Sequence, residues 1–423
     1  MCHVIDTDYQ LHSLETNYEM TTKTTFIQLA TSASLLAGLT LSNAAIAADE
    51  TLPTPEAMWE LIQSQQAELD ALNTRVGETD DKVEATSAFV EDIAQNSDSS
   101  FNGTQIGGYG ELHLTQGDKE VIDFHRWVLF FSHDFSDSIR MFSEFELEHS
   151  LAGDGKPGEV ELEQAYIEMD LNETSKIKAG LFLVPVGLLN ETHEPNTFYG
   201  VERNNIEKEI IPSTWWEAGF AYTKQFESGF STDIALHSGL NTPTAGSNAF
   251  RIRSGRGKVA EAAADSFATT ARINWSAIPG VKLSASLQYQ QDVAQGTLTE
   301  DADAMLYTLH ADIQQGGFGL RALYAAWDIS GATAKSFGRD QQEGVYIEPS
   351  YKFPVGDNDM GVFIRYGMYD TNAGNAADTE IDSVSIGANY WPHPNVVFKV
   401  DYTKEEQANS DTHTYNFGIG YQF

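Results

Sequence analysis

Cysteine is almost missing from this sequence: one residue, Cys2, stands at the extreme N-terminus of 423. A disulfide framework, a thiol nucleophile and a cysteine-based metal centre are thereby excluded from the body of the chain. Basic residues are also scarce, 25 Lys and Arg against 62 Asp and Glu, for a formal charge of −37. A polyanion would be repelled, so nucleic acid is not an expected partner. Beyond the N-terminal region there is no apolar run long enough for a membrane helix, although hydrophobic residues make up 41%. Catalytic signatures are absent as well. His193-Glu194 is followed by Thr197 where HExxH needs histidine, and no GxSxG occurs. No enzyme activity, cofactor or metal site is expected.

The N-terminal region reads as an export signal. From Met20, the expected true start, a short segment carrying Lys23 leads into an apolar stretch, Phe26 to Leu41, and then Ala45-Ile46-Ala47. That small-x-small ending predicts cleavage after Ala47, making residues 1–47 a leader. Residues 48–102 form a second unit. Ile62, Leu69, Val76, Val83 and Val90 are spaced by seven, and Pro53 and Pro55 suit a helix start. This predicts a periplasmic coiled-coil segment, joined to the remainder of the chain by the polar NSDSSFN at 96–102; an acidic linker without structure is the alternative.

From residue 103 to the end the period is two. In the final strand Tyr415, Phe417, Ile419, Tyr421 and Phe423 share one face, with Asn416, Gly418, Gly420 and Gln422 on the other. The same segregation recurs at 176–183, 281–290 and 318–326. Segments of about ten residues, alternating apolar and polar and joined by connections of unequal length, are the pattern of a transmembrane β-barrel. Short connections fall at Phe135, Leu171–Ser175, Phe226, Ser276, Gln314, Pro354 and Pro392, with longer polar ones between them. The fold class expected is all-β, a 16-stranded antiparallel barrel over 103–423 preceded by the helical segment. A Gram-negative outer membrane is the location it implies, with outer-membrane lipid and lipopolysaccharide as neighbours.

Alternation also nominates the pore-lining charges. Arg126, Arg140, Lys178, Arg272, Lys282, Arg321, Arg365 and Lys399 share the polar face with Glu111, Glu144, Glu146, Glu168, Glu217, Asp312 and Asp401. Placing Arg or Lys toward lipid instead would cost about 2–4 kcal/mol each at the midplane. The third long connection, Gly187 to Pro212, holds Glu191, Glu194, Glu202, Glu207 and Glu209 against His193, Arg203 and Lys208. Folded into the barrel, it would narrow the pore and set an acidic loop against a basic wall; bracing of the loop is the other use for these acids. The fourth connection carries Arg251, Arg253, Arg256 and Lys258 among glycines, a candidate anion-binding loop. Its partner could be a lipopolysaccharide phosphate, an anionic solute, or the acidic third loop.

The stretch IKAGLFLVPVGLLNETHEPNTFYGVERN resembles the strand-to-loop region of the phosphate-selective porin O and P family, through Lys178-Ala-Gly180, Pro185-Val-Gly187 and Glu202-Arg203. Tyr109-Gly-Glu111 and Phe124-His-Arg126 fit that family's first strands. The resemblance implies a homotrimeric, sixteen-stranded channel, sometimes with an N-terminal coiled coil. Anion selectivity there rests on arginines climbing the pore and lysines at the constriction. With so few bases here, the resemblance implies the channel far more than phosphate as its substrate. Three functions therefore stand: passive diffusion of small hydrophilic solutes and ions, a phosphate- or polyphosphate-selective channel, and a structural or adhesive barrel without an open pore.

Overall fold

The computed structural model describes residues 103–408 and 410–423; the leader, its cleavage site and the heptad segment lie outside these residues. Sixteen strands run in sequence. They are β1 (Thr104–Gly117), β2 (Val121–Ser136), β3 (Ile139–Glu148), β4 (Val160–Asn172), β5 (Ser175–Leu183), β6 (Trp216–Gln225), β7 (Phe230–Ser238) and β8 (Phe267–Trp275). The second half comprises β9 (Val281–Gln290), β10 (Ala304–Gln315), β11 (Phe318–Ile329), β12 (Gln341–Val355), β13 (Asn358–Asp370), β14 (Ile381–His393), β15 (Val396–Gln407) and β16 (Ser410–Gln422). Each pairs antiparallel with its sequence neighbour, and β1 pairs β16 to close the barrel. Gly108 and Phe423 exchange two backbone hydrogen bonds of 2.9 Å at the seam. Closure leaves no strand edge unpaired, which a hydrocarbon environment requires.

Period two decides which side chains face out. Phe417, Ile419, Leu309, Leu287, Ile364 and Val400 are exposed on the outer wall, while their sequence neighbours Asn416, Thr308, Gln288, Arg365 and Lys399 are buried inside. Exposed apolar side chains in such numbers fit a barrel facing lipid, not a soluble sandwich. Aromatics gather at the short-turn end: Phe135, Phe226, Phe230, Phe318, Tyr351 and Phe423 all remain exposed. This is the aromatic girdle that flanks the apolar band of such a barrel at one interface.

The connections differ by end. The seven expected short turns all lie at the end that carries Phe423. At the other end the two largest loops are L3, residues 184–215, and L4, residues 239–266. Both turn inward. Ile206, Ile210, Ile211 and Trp215 of L3 and Leu240, Phe250 and Ile252 of L4 pack against inward-facing Leu306, Leu323, Trp327 and Tyr346 of β10–β12. Burying each such side chain is worth about 1.5–3 kcal/mol, so one side of the barrel interior is a packed core.

Candidate functional site: the constriction

L3 reaches inward-facing residues on strands all round the wall. On one side Arg126 of β2 donates to the His193 carbonyl at 2.8 Å, and His113 of β1 meets the Glu202 carboxylate at 2.9 Å. On the far side Trp327 of β11 donates to the Ile210 carbonyl at 2.9 Å, and Arg365 of β13 to the Tyr199 carbonyl at 2.7 Å. Between them Asp401 of β15 accepts from Val201 N–H at 2.7 Å, and Ser286 of β9 donates to the Pro185 carbonyl. A chain held from all these directions lies across the lumen. It passes close to β16 because glycines leave room: a Cβ on Gly420 would stand 2.4 Å from Pro195.

The loop's neck is knitted by one residue. Asn190 donates to the carbonyls of Val184 and Trp215 at 2.8 and 2.9 Å, and accepts from Trp215 N–H at 2.7 Å. Its place in the apolar run VPVGLLN is the only sequence hint of that role.

The nominated charges separate into distinct environments. Glu191 pairs with Arg272, which also holds Asp233 at 2.8 Å. Glu202, about half exposed, faces the lumen beside His113, which also contacts Glu111. Glu194 is half-buried, and its Oε2 has no hydrogen-bond partner. Arg203 donates within L3 to Thr214 Oγ1.

Glu207 does not face the passage. It is fully buried, and it accepts from Leu189 N–H at 2.7 Å, from Leu188 N–H, from Asn204 and from Tyr346. Expected as a pore-lining acid, it is a brace, because four donors converge on its carboxylate inside the loop core.

The wall bases are mostly paired. Arg126 is buried against Glu111 and Arg365 against Glu348, while partly exposed Arg140 pairs with Glu168 and Asp170, and Arg321 with Asp312. Lys178 and Lys282 have no ion pair among the described residues; Lys178 Nζ stands 4.7 Å above the Tyr166 ring. Lys399 is buried with its Nζ 3.6 Å over the Phe198 ring of L3. Glu348, Asp233 and Glu163, inward-facing in this wall, were not singled out by sequence.

The basic stretch of L4 turns toward L3. Arg251 pairs with Glu209 at 2.5 Å. Arg253 donates to the carbonyls of Lys208 and Ser213 at 2.6 and 3.0 Å, Arg256 to that of Thr214 at 2.5 Å. Lys258 joins Glu159 and Glu161. Burial and the neighbouring Arg256 push Arg253 down to about 10, which leaves it charged at neutral pH. Of the three partners considered for this stretch, the third loop is the one its guanidinium groups reach.

A further junction joins L3 to the wall. His193 Nε2 lies 3.5 Å from Glu144 of β3 and 3.4 Å from Glu163 of β4, all three buried. Burial opposes charge on this ring, but the two carboxylates hold it up to about 10.

Toward the short-turn end, a polar recess of about 530 Å³ opens beneath L3, between Asn196–Tyr199, Arg321, Lys352, Asp359 and Trp391.

Known proteins share this architecture. The family described as Phosphate-selective porin O and P matches residues 102–419. An uncharacterized protein of Aquifex aeolicus (strain VF5) is 29% identical over 362 residues, covering 76% of this chain and 80% of that one. Among solved structures, the anion-selective porin from Comamonas acidovorans superposes with a TM-score of 0.53 at 13% identity, covering 76% of this chain and 99% of that one. Salmonella typhi OmpF, in complex with daunomycin, gives 0.51 at 14% identity, covering 76% and 97%. At those identities the structures speak for the fold, and the family match speaks for descent: the chain belongs to the phosphate-selective porin O and P family.

Proposed function

We propose that this outer-membrane porin is a water-filled diffusion channel for small hydrophilic solutes and ions, narrowed by L3. One observation carries the reading. L3 crosses the lumen, yet partly exposed charge lines both of its faces. Glu202, Asp123 and His149 lie toward the long loops, and Arg140, Asp170, Lys176 and Lys352 toward the short turns. Charges at a narrow point set ion preference. Here bases and acids alternate in pairs, which favours hydration of the wall over strong selection of one sign. Glu191 and Glu202 of L3, facing Arg272 and His113, are the selectivity residues we assign, together with Arg140, Lys178 and Arg321.

The porin belongs in the Gram-negative outer membrane as a homotrimer among lipid and lipopolysaccharide, after removal of its leader at Ala47. A related fold, OmpT of Vibrio cholerae, is described in a trimer form. Planar-bilayer reversal potentials in a salt gradient, with phosphate titrated in, test this reading. Weak selectivity and no phosphate block are expected. Block by submillimolar phosphate would make the channel phosphate-selective instead.

A further inference from the structure

The junction of L3 with β3 and β4 has a geometry that hydrogen bonding leaves unexplained. His193 Nδ1–H donates to the Asn190 carbonyl oxygen at 3.1 Å, which turns Nε2 toward the two carboxylates. Nε2 is nearly equidistant from Glu144 Oε1 and Glu163 Oε2, at 3.5 and 3.4 Å. The three ligand atoms lie within 4.8 Å of one another. His193 and Glu163 are each 2% exposed and Glu144 1%, and among the described residues neither His193 Nε2 nor Glu163 Oε2 has a hydrogen-bond partner.

A proton on Nε2 is the simplest occupant, but it fits poorly. A charge-assisted N–H···O bond closes to about 2.7–2.9 Å and points at one acceptor. Here two oxygens stand back by equal amounts. Around a tetrahedral Zn²⁺, with bonds of about 2.0–2.2 Å, neighbouring donor atoms are about 3.3–3.5 Å apart. The two separations from Nε2 have that length. Local charge points the same way. Arg126 is committed to Glu111, and Glu144 and Glu163 have no Lys or Arg ion pair among the described residues. Even an imidazolium at His193 would balance only one of the two carboxylates, and buried charge needs a counter-charge. The Nδ1 bond to a backbone carbonyl is also the outer contact that fixes a metal-bound imidazole.

We propose that His193, Glu144 and Glu163 bind a divalent transition-metal cation, with Zn²⁺ as the reference ion, which ties the constriction loop to the barrel wall. One nitrogen and two carboxylate oxygens suit zinc and its neighbours in the first transition row. The site does not depend on which solute the pore passes. Sequence reading missed it because its ligands come from two strands and a loop, with no shared motif.

The full chain in detergent, stripped with EDTA, is titrated with Zn²⁺ and separately with Co²⁺ as a spectroscopic probe. Unmodified protein should take up Zn²⁺ and show the intense visible bands of tetrahedral Co²⁺. Glu163→Gln and His193→Asn should each lose the bands and weaken Zn²⁺ binding by about 100-fold or more. Heat-dependent gel migration reports whether each variant keeps its barrel. If a variant does not fold, the Co²⁺ bands of the unmodified protein, and their displacement by Zn²⁺, decide the matter. Absence of Zn²⁺ uptake, octahedral Co²⁺ spectra, or equal binding by a folded variant would overturn the proposal. Equal binding would place the metal elsewhere, as at the Asp123, His125 and His149 cluster.

Discussion

Tyr346 of β12 donates its hydroxyl to Glu207 of L3 at 2.9 Å, across 139 residues of sequence. The same carboxylate receives the N–H groups of Leu188 and Leu189. A buried acid without a basic partner among the described residues is here satisfied by dipoles, and it holds the start of the loop to its middle and both to the wall. Glu207→Ala would strip acceptors from two buried N–H groups, at a cost of about 1–3 kcal/mol for each left unsatisfied. The variant should show noisier and larger single-channel currents with unchanged ion preference, measured in planar bilayers. Glu207→Gln, which keeps one carbonyl acceptor, should lie between.

Glu191 and Glu202 should behave in the opposite way. Their carboxylates face the lumen beside Arg272 and His113, so Glu→Gln at both removes two negative charges from the passage and makes the local balance more positive. Reversal potentials should move toward anion preference with little change in conductance noise. The Debye length is about 8 Å at physiological ionic strength and about 3 Å at 1 M, so the shift should shrink as salt rises. A shift that persists undiminished at 1 M would show that these charges are not in the water-filled passage.

The arginines of L4 are expected to act on the loop and not on phosphate. Arg253→Gln removes donors from the Lys208 and Ser213 carbonyls, and Arg251→Gln leaves Glu209 without its ion pair. The double variant should loosen L3, seen as faster proteolysis within 184–215 and more current noise. Any affinity for phosphate should stay as it was. Loss of phosphate affinity with L3 still protected would return this stretch to the role of an external anion site.

Much of this architecture is legible in the sequence, because a membrane barrel writes its pleat there. The face of Phe417 and Ile419 points outward, as the alternation at the C-terminus implies, and all seven short turns fall where the sequence places them. L3 declares itself by length and position. What stays hidden is pairing across the lumen. Glu207 and Glu202 look alike in sequence, and only the packing of Ile206, Ile210 and Tyr346 shows that one is buried and the other faces water. Arg251–Lys258 reads as a basic loop seeking an anion; its actual partners include backbone carbonyls, which carry no sequence signal. The apolar interior on the β10–β12 side is likewise cryptic, since inward Leu306 and Trp327 break the rule that the inner face is polar.

An open pore running past L3 is the central claim, and single-channel conductance in planar bilayers tests it most directly. The comparison is between the full chain and a variant lacking residues 190–209. A narrow segment dominates the resistance of a pore. Discrete steps are therefore expected from the full chain, and steps at least about twofold larger from the deletion, with fold and assembly preserved on semi-native gels. A full chain that inserts but gives no steps, or a folded deletion whose steps are the same size, would contradict it.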